Sequence, residues 1–152
     1  MRKKIFCDID NTIADHYSHY IDCLKKNKKI NLLDLKPIKN SQTFFKFFSK
    51  NYDIYFITRR KKEEKKNTIS WLKKNNFIFK KVIFIKNDIS KLNFIISNNG
   101  FIYIDDLKYN YENKKPKIKT KLIRKIKLKK ITFFRFNSNW VELKKKISKL
   151  KF

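Results

Sequence analysis

Five short runs rich in Ile, Phe, Tyr and Val punctuate the chain: KIFCDI (4–9), DIYFIT (53–58), KVIFIK (81–86), FIYID (101–105) and ITFFRF (131–136). They are nearly continuous in hydrophobicity rather than alternating, the pattern of strands buried on both faces. Amphipathic stretches separate several of them. KKEEKKNTISWLKKNN (61–76) brings Ile69 and Leu72 together, and SKLNFIISNN (90–99) spaces Leu92, Ile95 and Ile96 at helical intervals. NWVELKKKISKL (139–150) does the same with Val141, Leu143, Ile147 and Leu150, with Asn139 placed to cap it. Strands alternating with helices predict the α/β class: a Rossmann-like parallel sheet of about five strands flanked by helices.

At 152 residues the chain suits a single domain over 1–152 with one core. One glycine and two prolines leave no linker-like run. The start, MRKKIFCDID, reaches an aspartate after three apolar residues, too few for a secretory segment, and no apolar run approaches the roughly 20 residues of a membrane span. A cytoplasmic protein is expected, with Cys7 and Cys23 reduced, since two cysteines without CxxC spacing form neither a disulfide framework nor a zinc knuckle.

Two segments are less regular. Residues 13–52 contain HYSHYIDCLKK and SQTFFKFFSK, which predict two helices separated by NLLDLKPIKN, and are assigned to a small helical lid or insertion after the first strand. His16, Tyr17, His19 and Tyr20 line that lid or form a helix surface; with no third ligand in view, the two histidines do not suggest a metal pair. The segment KKPKIKTKLIRKIKLKK (114–130) fits a helical stripe through Ile118, Leu122 and Ile126, and its local alternation also fits a strand.

A net charge of +27 favours polyanionic partners or substrates, with nucleic-acid contact through a lysine-rich surface as one form of it. The basic residues are 35 lysines and five arginines, and Ala14 is the sole alanine, a bias that AT-rich codons also produce. Dedicated base readers lean on arginine for its bidentate fork, so the charge by itself does not define a base-reading protein.

Against that background the 13 acidic residues are informative by position. Asp8 and Asp10 close the first predicted strand, and Asp105 and Asp106 close the fourth. The carboxyl edge of a parallel sheet is where open α/β folds bind ligands, and residues i and i+2 of a strand share a face. If the two strands are neighbours, four carboxylates converge. Such a cluster is costly without a counterion, and a hard divalent cation with oxygen ligands, Mg²⁺ above all, resolves it together with a phosphate. The second strand supplies the complement: Thr58, then Arg59 and Arg60 at a helix start, a hydroxyl and two guanidinium groups for an anionic oxygen. Lys91 adds a further cation near the next helix start, with Lys86 as the alternative.

These residues carry a resemblance. DIDNT matches the DxDxT signature of the haloacid dehalogenase-like superfamily of phosphohydrolases, FITRR resembles its second motif and FIYIDD its acidic fourth motif, in the family's order over roughly residues 3–106. Among its branches the pattern looks most like the small nucleotidases and polynucleotide 3′-phosphatases. The resemblance implies a Mg²⁺-dependent phosphomonoester hydrolase working through an aspartyl-phosphate, on a nucleotide or a nucleic-acid 3′-phosphate end. Asp8 would be the nucleophile and a metal ligand; Asp10 would protonate the leaving alcohol, activate water and offer its carbonyl to the metal. Thr58 would bind phosphoryl oxygens, Lys91 would steady the nucleophile, and Asp105 and Asp106 would hold or orient the metal. Thr12, Thr58, Arg59 and Arg60 are the substrate-side residues. Asn11 stands where the family favours glycine, a departure that asparagine tolerates because it also adopts left-handed backbone. The competing expectation is a non-enzymatic basic nucleic-acid-binding protein on the same fold.

Overall fold

The computed structural model describes residues 2–113, 115–129 and 131–150, with Asn113 described by its backbone alone. Five parallel strands, β1 (Lys3–Cys7), β2 (Tyr52–Thr58), β3 (Lys81–Phe84), β4 (Gly100–Asp105) and β7 (Thr132–Arg135), form a sheet in the order β3-β2-β1-β4-β7. The helices are α1 (His16–Lys25), α2 (Ser41–Phe48), α3 (Lys65–Lys74), α4 (Asp88–Ser97), α5 (Thr120–Leu128) and α6 (Trp140–Ser148). This is the expected Rossmann-like α/β architecture, with β1 central and flanked by β2 and β4.

The continuous hydrophobicity of the strands follows from helices on both faces. Along β1, Ile5 and Cys7 join the core shared with Phe44, Phe45 and Phe48 of α2, Trp71 and Leu72 of α3, and Trp140, Leu143 and Ile147 of α6. Phe6, one residue out of phase, joins Leu92 and Ile95 of α4 and Leu122 and Ile126 of α5 on the opposite face. Cys7 and Trp71 are fully buried, as core residues.

Three local expectations change. Strand β1 ends at Cys7, so Asp8 and Asp10 lie past the last paired residue rather than on the strand. Residues 117–128 are both strand and helix: β6 (Lys117–Ile118) pairs antiparallel with β5 (Lys108–Tyr109), and α5 then buries Leu122 and Ile126 while Ile118 stays outside. On α6 the buried stripe is Trp140, Leu143 and Ile147, and Val141 is 46% exposed, because the larger indole takes the inward place one residue earlier. Asn139 does cap α6, its side chain accepting from the Glu142 N–H at 3.0 Å.

Within 13–52, α2 buries three phenylalanines in the main core, so it belongs to the body of the fold as the crossover between β1 and β2. The segment nearest the site is α1 with the turn before it. No described helix is long and apolar enough to cross a membrane.

Candidate active site

Parallel register brings the ends of three strands level. Cys7 pairs with Phe56 on one side and Ile104 on the other, so the next residues out, Asp8, Ile57–Thr58 and Asp105, emerge at one edge. The Asp8 N–H continues the ladder to the Ile104 carbonyl at 2.9 Å. The chain then turns sharply: the Ile9 carbonyl accepts from the N–H groups of Ile13 at 2.9 Å and Ala14 at 3.0 Å. Asn11 sits in the left-handed region at φ 57°, where its side chain accepts from the Tyr17 N–H at 2.7 Å and so ties the turn to α1. A glycine would allow the same turn without that tie.

The turn and the strand ends enclose a cavity of about 460 Å³. Asp8, Asp10, Thr58, Arg59, Arg60, Lys91, Asp105 and Asp106 all line it, from four separate stretches of sequence. Thr12 does not. It is fully buried, its hydroxyl accepts from the Asp106 N–H at 3.2 Å, and its carbonyl accepts from the Trp140 indole at 3.1 Å. Its place is therefore behind the acidic turn, bracing it, rather than on the substrate side.

Lys91 occupies the centre. Its Nζ lies 2.6 Å from Asp8 and 2.8 Å from Asp105, and its side chain is 3% exposed. Helix α4 presents it there: the Asn87 side chain caps the helix by accepting from Ser90 N–H at 2.8 Å, and Leu92 and Ile95 anchor the adjoining face in the core. Lys86 is exposed and does not line the cavity.

Asp8, Asp105 and Asp106 each place an oxygen within 4.8 Å of the others. Asp10 lines the same cavity but turns its carboxylate to Arg60, whose Nη2 lies 2.6 Å away. Thus three carboxylates gather tightly and the fourth is held by a guanidinium group. Arg60 also donates to Thr68 of α3 at 3.1 Å, and its backbone N–H donates to the Thr58 hydroxyl at 3.2 Å. Arg59 reaches outward to Asp88 at 3.4 Å.

Burial and crowding shape the acids. Burial pushes the Asp8 carboxyl up to about 8 despite the Lys91 charge, with Asp105, Asp10 and Asp106 adding to the rise. Burial acts on Asp105 too, but the Lys91 charge and hydrogen bonds from Lys91, Tyr103 and the Leu107 N–H outweigh it and hold this carboxyl below the usual range. Asp106 is raised to about 6, first by burial and then by Asp105, against a hydrogen bond from Tyr111. For Lys91, burial would lower the ammonium, and the charges of Asp105 and Asp8 more than reverse it. One ammonium facing three close carboxylates leaves an excess of negative charge and several free oxygen lone pairs. That donor set fits a hard divalent cation.

Sequence reasoning passed over two tyrosines. Tyr103, two residues before Asp105 on the same face of β4, donates its hydroxyl to Asp105; the i, i+2 spacing was the available signal. Tyr111 donates to Asp106 from the segment after β5, and its ring meets Tyr17 of α1 at 5.2 Å. His16 also reaches the cavity, whereas His19 turns to Cys23, with Nε2 and Sγ 3.5 Å apart.

No protein-family model matches the chain, and no curated protein matches it in sequence. Solved structures do match its fold. A hydrolase from Streptococcus pneumoniae TIGR4 is similar at TM-score 0.63 and 10% identity, over 97% of this chain and 98% of the other. A chain of a Pnkp1/Rnl/Hen1 complex is similar at TM-score 0.60 and 15% identity, and one of the Pnkp1/Rnl/Hen1 RNA repair complex at 0.61 and 13%. Each of these two alignments covers 91% of this chain, which spans 47% and 43% of the respective partners, less than half their length. At such identity the likeness establishes a shared α/β fold.

Proposed function

We propose that the protein is a Mg²⁺-dependent phosphomonoester hydrolase that works through a phosphoaspartate. The observation that carries this reading is the convergence of Asp8, Asp105 and Asp106 around Lys91 at the carboxyl edge of the sheet, with the Thr58 hydroxyl on the same cavity. Asp8, Asp105, Asp106 and the Asp10 carbonyl would hold Mg²⁺, which when bound offsets the charge of an incoming phosphate.

In this reading the Asp8 carboxylate attacks phosphorus and the bond to the leaving oxygen breaks, with Asp10 supplying the proton that the alkoxide takes up. Asp10, now a carboxylate, removes a proton from water as that water attacks the phosphoaspartate. Inorganic phosphate leaves and Asp8 is restored. Lys91 keeps the Asp8 oxygens oriented and faces the phosphoryl charge, Thr58 offers a hydroxyl to a phosphoryl oxygen, and Arg59 meets the outer part of the substrate. Tyr103 and Tyr111 fix Asp105 and Asp106 by hydrogen bonds to their carboxylates.

The substrate class we propose is a nucleotide or a nucleic-acid 3′-phosphate end. The motif resemblance, the basic surface and the similarity to chains of an RNA repair complex support it. The test is release of inorganic phosphate from a panel of phosphomonoesters with Mg²⁺ and with chelator. Asp8→Asn should fold normally, bind substrate and lose turnover by about a thousandfold or more. Full activity in that variant, or activity indifferent to metal, would sink the reading. Salt-sensitive nucleic-acid binding with no phosphate release would favour the binding-protein alternative.

A further inference from the structure

Beside the acidic cavity, and sharing Arg59, Asp88, Tyr109 and Lys119 with it, lies a second one of about 560 Å³. It opens between the first turns of α4 and α5 and the β5-β6 hairpin. Its walls are apolar and open to solvent: Ile89 is 46% exposed, Tyr109 46% and Ile118 39%. Its rim is cationic: among the described residues, Arg59, Lys119, Lys121 and Lys125 stand against one carboxylate, Asp88. That carboxylate is already paired, with Lys119 at 3.0 Å and Arg59 at 3.4 Å. Lys121 and Lys125 stand one turn apart on the exposed side of α5.

We infer that this groove holds the nucleotides next to the terminal phosphate of a single-stranded nucleic acid, with a base against Tyr109 between Ile89 and Ile118 and the phosphodiester over Lys121 and Lys125. The inference rests on the phosphomonoesterase reading, and it selects a strand end over a free mononucleotide within it. A groove that combines flat apolar surface with an excess of cations matches a ligand of alternating planar bases and anionic linkages. A phosphopeptide supplies no regular series of either. A mononucleotide whose phosphate meets Asp8 would reach the near end of the groove and leave the α5 lysines unused. The two helix N-termini that face the groove add positive potential in the same place. The volume falls within the range of well-formed ligand sites.

The experiment compares kcat/KM for p-nitrophenyl phosphate with that for oligonucleotides of one to six nucleotides phosphorylated at the 3′ or the 5′ end. Binding of a labelled, terminally phosphorylated hexanucleotide is read in parallel by anisotropy. The groove predicts a rise of about tenfold in kcat/KM as the second and third nucleotides are added at one end. Lys121→Ala/Lys125→Ala should remove most of that rise and weaken the hexanucleotide, while hydrolysis of p-nitrophenyl phosphate stays within about twofold of the parent. Tyr109→Ala should likewise weaken the hexanucleotide and lower the rise with length, and Tyr109→Phe should keep both. A flat length dependence, equal losses on both substrates, or a phosphopeptide turned over as well as the best oligonucleotide would overturn the assignment. If no phosphomonoester is hydrolysed but the lysine variant still weakens the hexanucleotide, the groove stands and the hydrolase reading falls. If p-nitrophenyl phosphate is hydrolysed and the variants leave the hexanucleotide untouched, the reverse holds.

Discussion

Both carboxylate oxygens of Asp10 are held by Arg60, whose Nε lies 3.2 Å from one and 3.0 Å from the other while Nη2 lies 2.6 Å from the first. The two residues are 50 positions apart, and the guanidinium group is itself anchored to Thr68. This fork fixes the rotamer of the proposed proton carrier, and it must loosen for Asp10 to reach a leaving oxygen. Arg60→Lys keeps the charge but cannot reproduce the two-oxygen grip. Its kcat should fall by roughly tenfold with KM little changed, as expected for a positioning residue. An unchanged kcat would show that Asp10 needs no such holder.

Lys91 is the ammonium that bridges Asp8 and Asp105 in the cluster of three crowded carboxylates, and it is almost wholly buried. Lys91→Met preserves the length of the side chain and leaves those charges uncompensated. Breaking a buried pair by removing one partner costs about 3–5 kcal/mol, so the variant should melt well below the parent in chelator. Added Mg²⁺ should recover part of the loss while turnover stays low. A variant as stable as the parent without metal would contradict this account of the site.

The pH dependence of the metal-free protein follows from the same charges. Asp8 at about 8 and Asp106 at about 6 bind protons more readily folded than unfolded, so between pH 5 and 8 the folded chain carries more protons. Stability must then fall as pH rises across that window. Asp105 is shifted the other way: the stability it contributes is lost as pH falls and is already fully present at pH 5, so it adds no slope across the window. Thermal melts in chelator should show the transition temperature dropping by several degrees from pH 5 to 8, and saturating Mg²⁺ should flatten the slope. A metal-free profile that rises across the window would contradict the assignment of raised acids.

Gly100, the only glycine in the chain, opens β4 against α4. A Cβ there would run into the Ile95 side chain and stand 2.9 Å from the Ile95 carbonyl oxygen, which the helix holds in place. Gly100→Ala should therefore destabilise by about 1–3 kcal/mol, read as a lower denaturant midpoint with an unchanged m-value. Because β4 carries Asp105, activity should fall in step if the strand shifts. An alanine variant of parental stability would show that α4 gives way without cost.

Much of this was legible because strand burial and helix amphipathicity are local. Ile5, Cys7 and Phe6 look equally apolar in sequence because helices cover both faces of β1, and Leu92 and Ile95 are spaced as one helix face. The β5-β6 hairpin was at most half legible: each strand has two residues, and its second half lies in a lysine-rich stretch that fits a helical stripe and a strand alternation alike. Val141 and Trp140 traded places for a related reason. A helical stripe fixes a phase only to within a residue, and the better-packed side chain decides.

What the sequence determined by itself is the α/β class and the placement of acidic residues after the first and fourth strands, since both depend on neighbours in the chain. What only the tertiary structure decided is who meets whom. Parallel register sets Asp8 and Asp105 level with Thr58 one residue further out, Lys91 rather than Lys86 enters from α4, Arg60 grips the Asp10 carboxylate, and Thr12 turns inward to brace Asp106. Those contacts span up to 94 residues between Thr12 and Asp106. No local periodicity encodes them, because their geometry is set by the packing of elements that come together only on folding.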